Sequence, residues 1–162
     1  MRPICPPDLT SRPLSLTVEQ QMKASPAAIY KAWTARFDRW FAAPGTVLMK
    51  AEVNAPFFFE TRFSDERVKG ERHPHYGRFL KFKPNEQVVM TWVTGPEGTK
   101  GEETVVTVEL ASKAWGTTLR LTHSGFPDER SRRQHEDAWP RVLQHLDEVL
   151  VDPGISDTRR DG

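Results

Sequence analysis

The stretch Asp128–Val151, DERSRRQHEDAWPRVLQHLDEVLV, constrains the fold more than any other part of the chain. Set on a helix at about 100° per residue, Trp139, Val142, Leu143, Leu146, Val149 and Leu150 fall in one stripe. Arg130, Arg133, Asp137, Arg141 and Glu148 fall mostly outside it. The pattern predicts one amphipathic helix roughly 35 Å long. No other apolar pattern in the chain has the period of a long helix, and most of the rest alternates as strands do. A lone long helix must bury its stripe, and the only surface on offer is a sheet.

The elements before that helix can be read in order. Leu14, Leu16 and Val18 alternate with polar residues, marking a first strand to about Met22. Ser25-Pro26 is a helix start, with serine as N-cap and proline at the first helical position. It opens a helix carrying Ile29, Tyr30 and Trp33 and stopping near Thr34. A second short helix, Arg36 to Ala42, brings Phe37, Trp40 and Phe41 and ends at Pro44-Gly45. Six strands follow: Val47–Asn54, Pro56–Phe63, Tyr76–Phe82, Gln87–Thr94, Glu103–Leu110 and Thr117–His123. Most of their connections are short, which implies antiparallel pairing. The exception is the charged loop Ser64–His75. Asp128 caps the long helix, and Asp152-Pro153-Gly154 ends it.

This order predicts an α+β helix-grip fold: a curved, seven-stranded antiparallel sheet around a long C-terminal helix, with two short helices after the first strand. Its domain spans 14–151, between flexible tails at 1–13 and 152–162. The sheet's concave face and the helix stripe cannot close fully on each other, so a cavity lined by both is expected.

Composition narrows the function classes. The 162 residues suffice for one domain with a core of its own. No run approaches 18 apolar residues, so no membrane span is expected, and the N-terminus has no secretory h-region. A net charge of +1 gives no bulk field for nucleic acid. The single cysteine, Cys5, cannot form an internal disulfide and suits a reducing cytoplasm. Phosphate-cradling glycine loops, serine-elbow motifs and paired-cysteine metal motifs are missing from the sequence, and no cofactor is implied.

Three blocks of residues carry a family resemblance. They are Ser25-Pro26 through Trp33-Thr34 with Arg39-Trp40-Phe41; then Gly77-Arg78-Phe79-Leu80, Pro84 and Thr91-Trp92; and last Thr118 through Asp128 with Trp139 and Leu143. Together they resemble the domain related to the activator of the Hsp-90 ATPase, in the START-like (SRPBCC) superfamily. The resemblance covers about residues 14–150. It implies a small hydrophobic or amphiphilic ligand in the cavity rather than a chaperone role, on a scaffold that hosts many functions. Three features depart from the family pattern: Asn54-Ala55 where two glycines often stand, the aromatic run Phe57-Phe58-Phe59, and His73-Pro74-His75-Tyr76.

Candidate ligand contacts follow from register and stripe. Phe57, Phe59 and Phe63 share one strand face, with Glu60 and Arg62 on the other. The odd-numbered face is expected inside, which makes Phe57 and Phe59 walls for an apolar or aromatic ligand, or plain core; a one-residue slip would instead place Glu60 and Arg62 in the cavity. His123 extends the Leu119 and Leu121 face of the last strand, and His135 lies in the helix stripe one turn before Trp139. Each is either a ligand-orienting acid–base group or a hydrogen-bonded histidine at the core edge. Arg132, on the same stripe, would pair with a ligand carboxylate at the cavity mouth unless it is simply a surface arginine. Tyr76 is placed near the rim. Trp40 and Trp139 are expected to meet at the cavity entrance, with Val142 and Leu146 lining the helix wall. Trp92 is left on either sheet face by the alternation around it. The His73-Pro74-His75 spacing resembles half of a metal site but lacks a third ligand, so a rigid turn and no metal are expected. Pro140 is expected to kink the helix near Glu136.

The leading expectation is a non-catalytic binding protein for a small hydrophobic or amphiphilic molecule, acting as monomer or homodimer. The alternatives are an enzyme of the cyclase, dehydratase or hydrolase type with a cavity histidine as acid–base, and a protein-interaction module.

Overall fold

The computed structural model describes residues 6–40, 47–62, 72–95 and 98–151. Cys5, Phe41, the Pro44-Gly45 stop, Phe63, most of the charged loop and the Asp152-Pro153-Gly154 stop lie outside them. The elements are β1 (Ser15–Met22), α1 (Pro26–Ala35), α2 (Phe37–Trp40), β2 (Pro56–Arg62), β3 (Arg72–Lys83), β4 (Gln87–Thr94), β5 (Thr104–Lys113), β6 (Gly116–Ser124) and α3 (Glu129–Val151). The six strands form one curved sheet in the order β1-β6-β5-β4-β3-β2, antiparallel throughout. Because β1 and β2 occupy opposite edges, the chain between them must cross the sheet, and α1 and α2 lie on that crossing.

Six strands stand where seven were expected. The apolar stretch from Val47 makes a single bridge, Leu48 to Phe58, and then bends away. Asn54 is the reason. It takes a left-handed φ of 67° and donates its amide to the Phe79 carbonyl, so the chain turns into β2 instead of running alongside it. Asparagine adopts that conformation at less cost than most residues, which explains how it stands where the family often has a glycine. The two short helices are also unequal. α1 has ten residues, capped as expected by Ser25, whose Oγ accepts from the Ala28 amide. α2 is a single turn of four residues. Its Trp40 indole donates to the Ala32 carbonyl and so satisfies one of the carbonyls that the end of α1 leaves open.

β3 begins at Arg72, so His73-Pro74-His75 is strand and not a turn. Proline is tolerated there because the β4 ladder starts only at His75, opposite Thr94, leaving Pro74 no partner on that side. From this start the inner face of β3 carries His75, Gly77 and Phe79. A Cβ on Gly77 would collide with the Thr91 carbonyl oxygen and stand 2.7 Å from Phe57 Cζ. Gly77→Ala is therefore expected to cost about 2–3 kcal/mol, as overpacking against backbone does. A urea midpoint equal to the parent's would show that β3 and β4 can separate at no cost.

The C-terminal helix docks as its pattern requires. Trp139, Leu143, Leu146 and Val149 are buried, and Val142 and Leu150 pack at the margin of the core. α3 runs through Pro140 without interruption, with the proline ring turned to solvent. Asp128 caps it by accepting from the Ser131 amide. Near its other end the Asp147 carboxylate accepts from the amides of Lys23 and Ala24, which fixes α3 to the turn between β1 and α1. Part of the expected N-terminal tail is held too: Arg12 donates to the carbonyls of Gly125 and Glu103.

Candidate functional site

The concave sheet face and the helices meet across aromatic rings. β2 supplies Phe57 and Phe59, β3 supplies Phe79 and β4 supplies Trp92, all essentially without solvent contact. Facing them are Trp33 of α1, Phe37 and Trp40 of α2, and Trp139 of α3. Phe37 links the two walls, with its ring centroid 4.9 Å from Phe59, 5.7 Å from Phe57 and 6.3 Å from Trp92. Trp139 closes the circuit at 5.5 Å from Trp92 and 6.0 Å from Trp33. Most of these pairs are tilted or edge-to-face, the arrangement aromatic quadrupoles favour.

The odd register of β2 thus holds, and Trp92 takes the inner face. The structure brings Trp40, Phe57, Phe59, Trp92, Trp139 and Leu146 into one cluster, with Val142 beside it. Tyr76 is elsewhere. It is 43% exposed on the outer face and stacks on Phe58, because the inner positions of β3 go to its odd-numbered neighbours. Arg132 is engaged by its own helix: its guanidinium bonds Glu129 Oε1 at 2.6 Å and Glu136 Oε2 at 2.7 Å. Carboxylates at i−3 and i+4 reach it with no reorganisation of the backbone.

Histidines gather at one end of the aromatic cluster. β6 carries His123 between β1 and β5, opposite Leu16 and Val106, and buries it completely. The Trp139 indole donates to His123 Nδ1 at 3.1 Å. Nδ1 is therefore the unprotonated nitrogen, and Nε2 donates to Thr104 Oγ1 at 2.7 Å. Thr104 in turn donates to the Trp92 carbonyl. Both nitrogens of His123 are thus engaged in the series from Trp139 to the Trp92 carbonyl, and the imidazole is neutral. Burial pushes its pKa well below the ordinary imidazole value, and the neighbouring His135 lowers it further.

His135 stands edge-on to His123, with ring centroids 4.9 Å apart, and also meets Phe126 at 5.1 Å. Its Nδ1 donates to the Ser131 carbonyl at 2.8 Å, which fixes the tautomer and leaves Nε2 as a lone-pair acceptor. Burial lowers its pKa, and the Ser131 bond opposes that shift. His75 lies on the other side of Trp92, stacked on Phe59 at 4.8 Å and edge-on to Trp92 at 5.5 Å. Extending the alternation of Phe79 back through Gly77 would have placed His75 inside. Likewise, the Ser25 cap sets the phase of α1 and puts Ile29 and Trp33 on one face, so the inward position of Trp33 was also accessible. No group of three or more metal-ligating side chains occurs among the described residues. No described helix is long and apolar enough to cross a membrane.

Residues 23–151 match the pattern of the family described as activator of Hsp90 ATPase homolog 1-like protein. The chain belongs to this family. Solved structures of similar fold include protein CV1439 from Chromobacterium violaceum, 22% identical, with a TM-score of 0.70 over 85% of this chain and 98% of that one. The AHSA1-like protein from Aeromonas hydrophila is 17% identical, with a TM-score of 0.66 over 87% and 94%. A protein described as the Aha1 dimer from Colwellia psychrerythraea is 22% identical, with a TM-score of 0.63 over 85% and 96%. No curated protein matches the chain. At these identities the solved relatives of the family speak for the fold.

Proposed function

We propose that this chain is a binding protein for a small hydrophobic or amphiphilic molecule, held between the concave sheet face and α3. The observation that carries the reading is the composition of the two walls. Rings from β2, β3, β4, α1, α2 and α3 converge where aliphatic side chains would serve packing alone. Large flat side chains provide apolar contact area at little loss of rotamer entropy, which suits a site for a flat apolar guest. The family's fold, which is consistent with ligand binding, agrees with it.

Adding naphthalene or decanoate is expected to shift the emission of Trp92 and Trp139, and native mass spectrometry of fresh protein is expected to show a co-purified small molecule. Unchanged emission with both compounds, together with a bare mass, would overturn the proposal. The same spectrum gives the subunit count, and a homodimer would parallel the Colwellia protein.

A second reading, an enzyme with a histidine as acid–base, is favoured by one detail. His135 is held through Nδ1 with its Nε2 lone pair available, the orientation a general base requires. His123 cannot take that role with both nitrogens bonded. If a co-purified compound is chemically changed on incubation with the parent and not with His135→Gln, catalysis replaces binding as the function.

A further inference from the structure

Among the described residues, one buried side-chain nitrogen or oxygen has no hydrogen-bond partner: the indole Nε1 of Trp33. Buried polar groups almost always find partners, so each exception asks for an explanation. The other indoles of the cluster show the usual behaviour. Trp40 donates to the Ala32 carbonyl and Trp139 to His123. Trp33 has no solvent contact, and three rings pack against it: Trp40 at 5.0 Å, Phe37 at 6.0 Å and Trp139 at 6.0 Å. Trp40 and Trp139 offer only further N–H donors, and phenylalanine offers no lone pair. None of these three rings offers the N–H a lone pair, and it makes no hydrogen bond.

We propose that Trp33 Nε1–H is the polar anchor of the interior site, and that the ligand is a flat apolar molecule bearing one neutral acceptor, such as a ketone or ester carbonyl. This rests on the binding function proposed above and sharpens it to a ligand class. An indole N–H donates and cannot accept, so ammonium and amine donors gain nothing from it. A carboxylate would lose its hydration on burial, and Arg132, the cation of the α3 stripe, is already paired with Glu129 and Glu136. A neutral carbonyl needs one donor and tolerates ring walls on every other side.

The test compares 2-acetylnaphthalene with 2-ethylnaphthalene, which have nearly the same shape and differ by the carbonyl oxygen. Binding is followed in the full chain by calorimetry and by the indole proton–nitrogen resonances. The Trp33 resonance is assigned by its loss in Trp33→Phe. The ketone is expected to bind about tenfold more tightly than the hydrocarbon, the discrimination of one buried hydrogen bond. The Trp33 N–H is expected to move downfield with the ketone alone. In Trp33→Phe the two compounds should bind within about twofold of each other. Equal affinities in the parent, as a buried water on Nε1 would give, overturn the anchor and leave the binding function standing. A Trp33 resonance unmoved by bound ketone overturns the anchor as well. Failure of both compounds to bind overturns the binding function and the anchor together. If Trp33→Phe does not fold, the parent's affinity ratio still decides, and the Trp33 resonance is then assigned by elimination through Trp40→Phe, Trp92→Phe, Trp115→Phe and Trp139→Phe.

Discussion

Trp139→Ala is expected to lower the stability of the protein by about 4 kcal/mol, near the top of the range for removing a buried aromatic ring. Two losses combine. The ring contacts Trp33 at 6.0 Å, Trp92 at 5.5 Å and His123 at 5.9 Å, so its removal opens a void that side chains from three different elements would have to fill. Its N–H is also the donor to His123 Nδ1, and a buried acceptor left alone costs about 1–3 kcal/mol by itself. Trp139→Phe separates the two, since it keeps most of the ring and loses the donor. Urea denaturation of the three proteins checks this: the midpoint should fall most for alanine and by an intermediate amount for phenylalanine. A phenylalanine variant as stable as the parent would mean that the His123 bond contributes nothing, and the tautomer assignment would fall with it.

Acidification from pH 7 to pH 5 is expected to remove up to about 4 kcal/mol of stability through His123 and His135. Both imidazoles are kept neutral in the fold, chiefly by burial, with pKa values below the ordinary 6.5. In the unfolded chain both titrate near that ordinary value. Below about pH 6.5 the unfolded state therefore binds protons that the native state refuses, and stability falls as pH falls. Each histidine contributes a slope of at most about 1.4 kcal/mol per pH unit, until the native state itself takes the proton. Above about pH 7.5 the slope from this pair vanishes. The lowered carboxylates Asp8, Asp128 and Glu129 titrate at more acid pH and fall outside this window. Urea midpoints measured at half-unit steps from pH 8 to pH 5 report the effect directly. A flat profile would mean that neither imidazole has its pKa lowered in the fold.

Much of the architecture was legible because its signals are local. The Ser25-Pro26 start, the β4 span Gln87–Thr94 and the stripe of α3 each follow from a period or a cap within one element. The seventh strand failed because alternation from Val47 to Asn54 says nothing about whether the backbone can stay beside β2. A left-handed Asn54 decided that it cannot. His75 was misread as part of a turn because proline usually ends a strand. Here the neighbouring ladder simply starts one residue later.

The candidate site divides in the same way. The alternation in β2 put Phe57 and Phe59 on one face, and the stripe of α3 put Trp139 and Leu146 on another, since side-chain direction is set by the element's own geometry; which face of β2 turns inward was fixed by its register in the sheet. What the histidines do was decided by the tertiary structure alone. His123 lies 16 residues from Trp139 and 19 from Thr104: the docking of α3 brings a donor to one nitrogen, and the pairing of β5 with β6 brings an acceptor to the other. The same docking places Trp33 among rings that cannot accept its proton. Hydrogen-bond satisfaction depends on which distant atoms arrive within about 3 Å, and no local period encodes that distance.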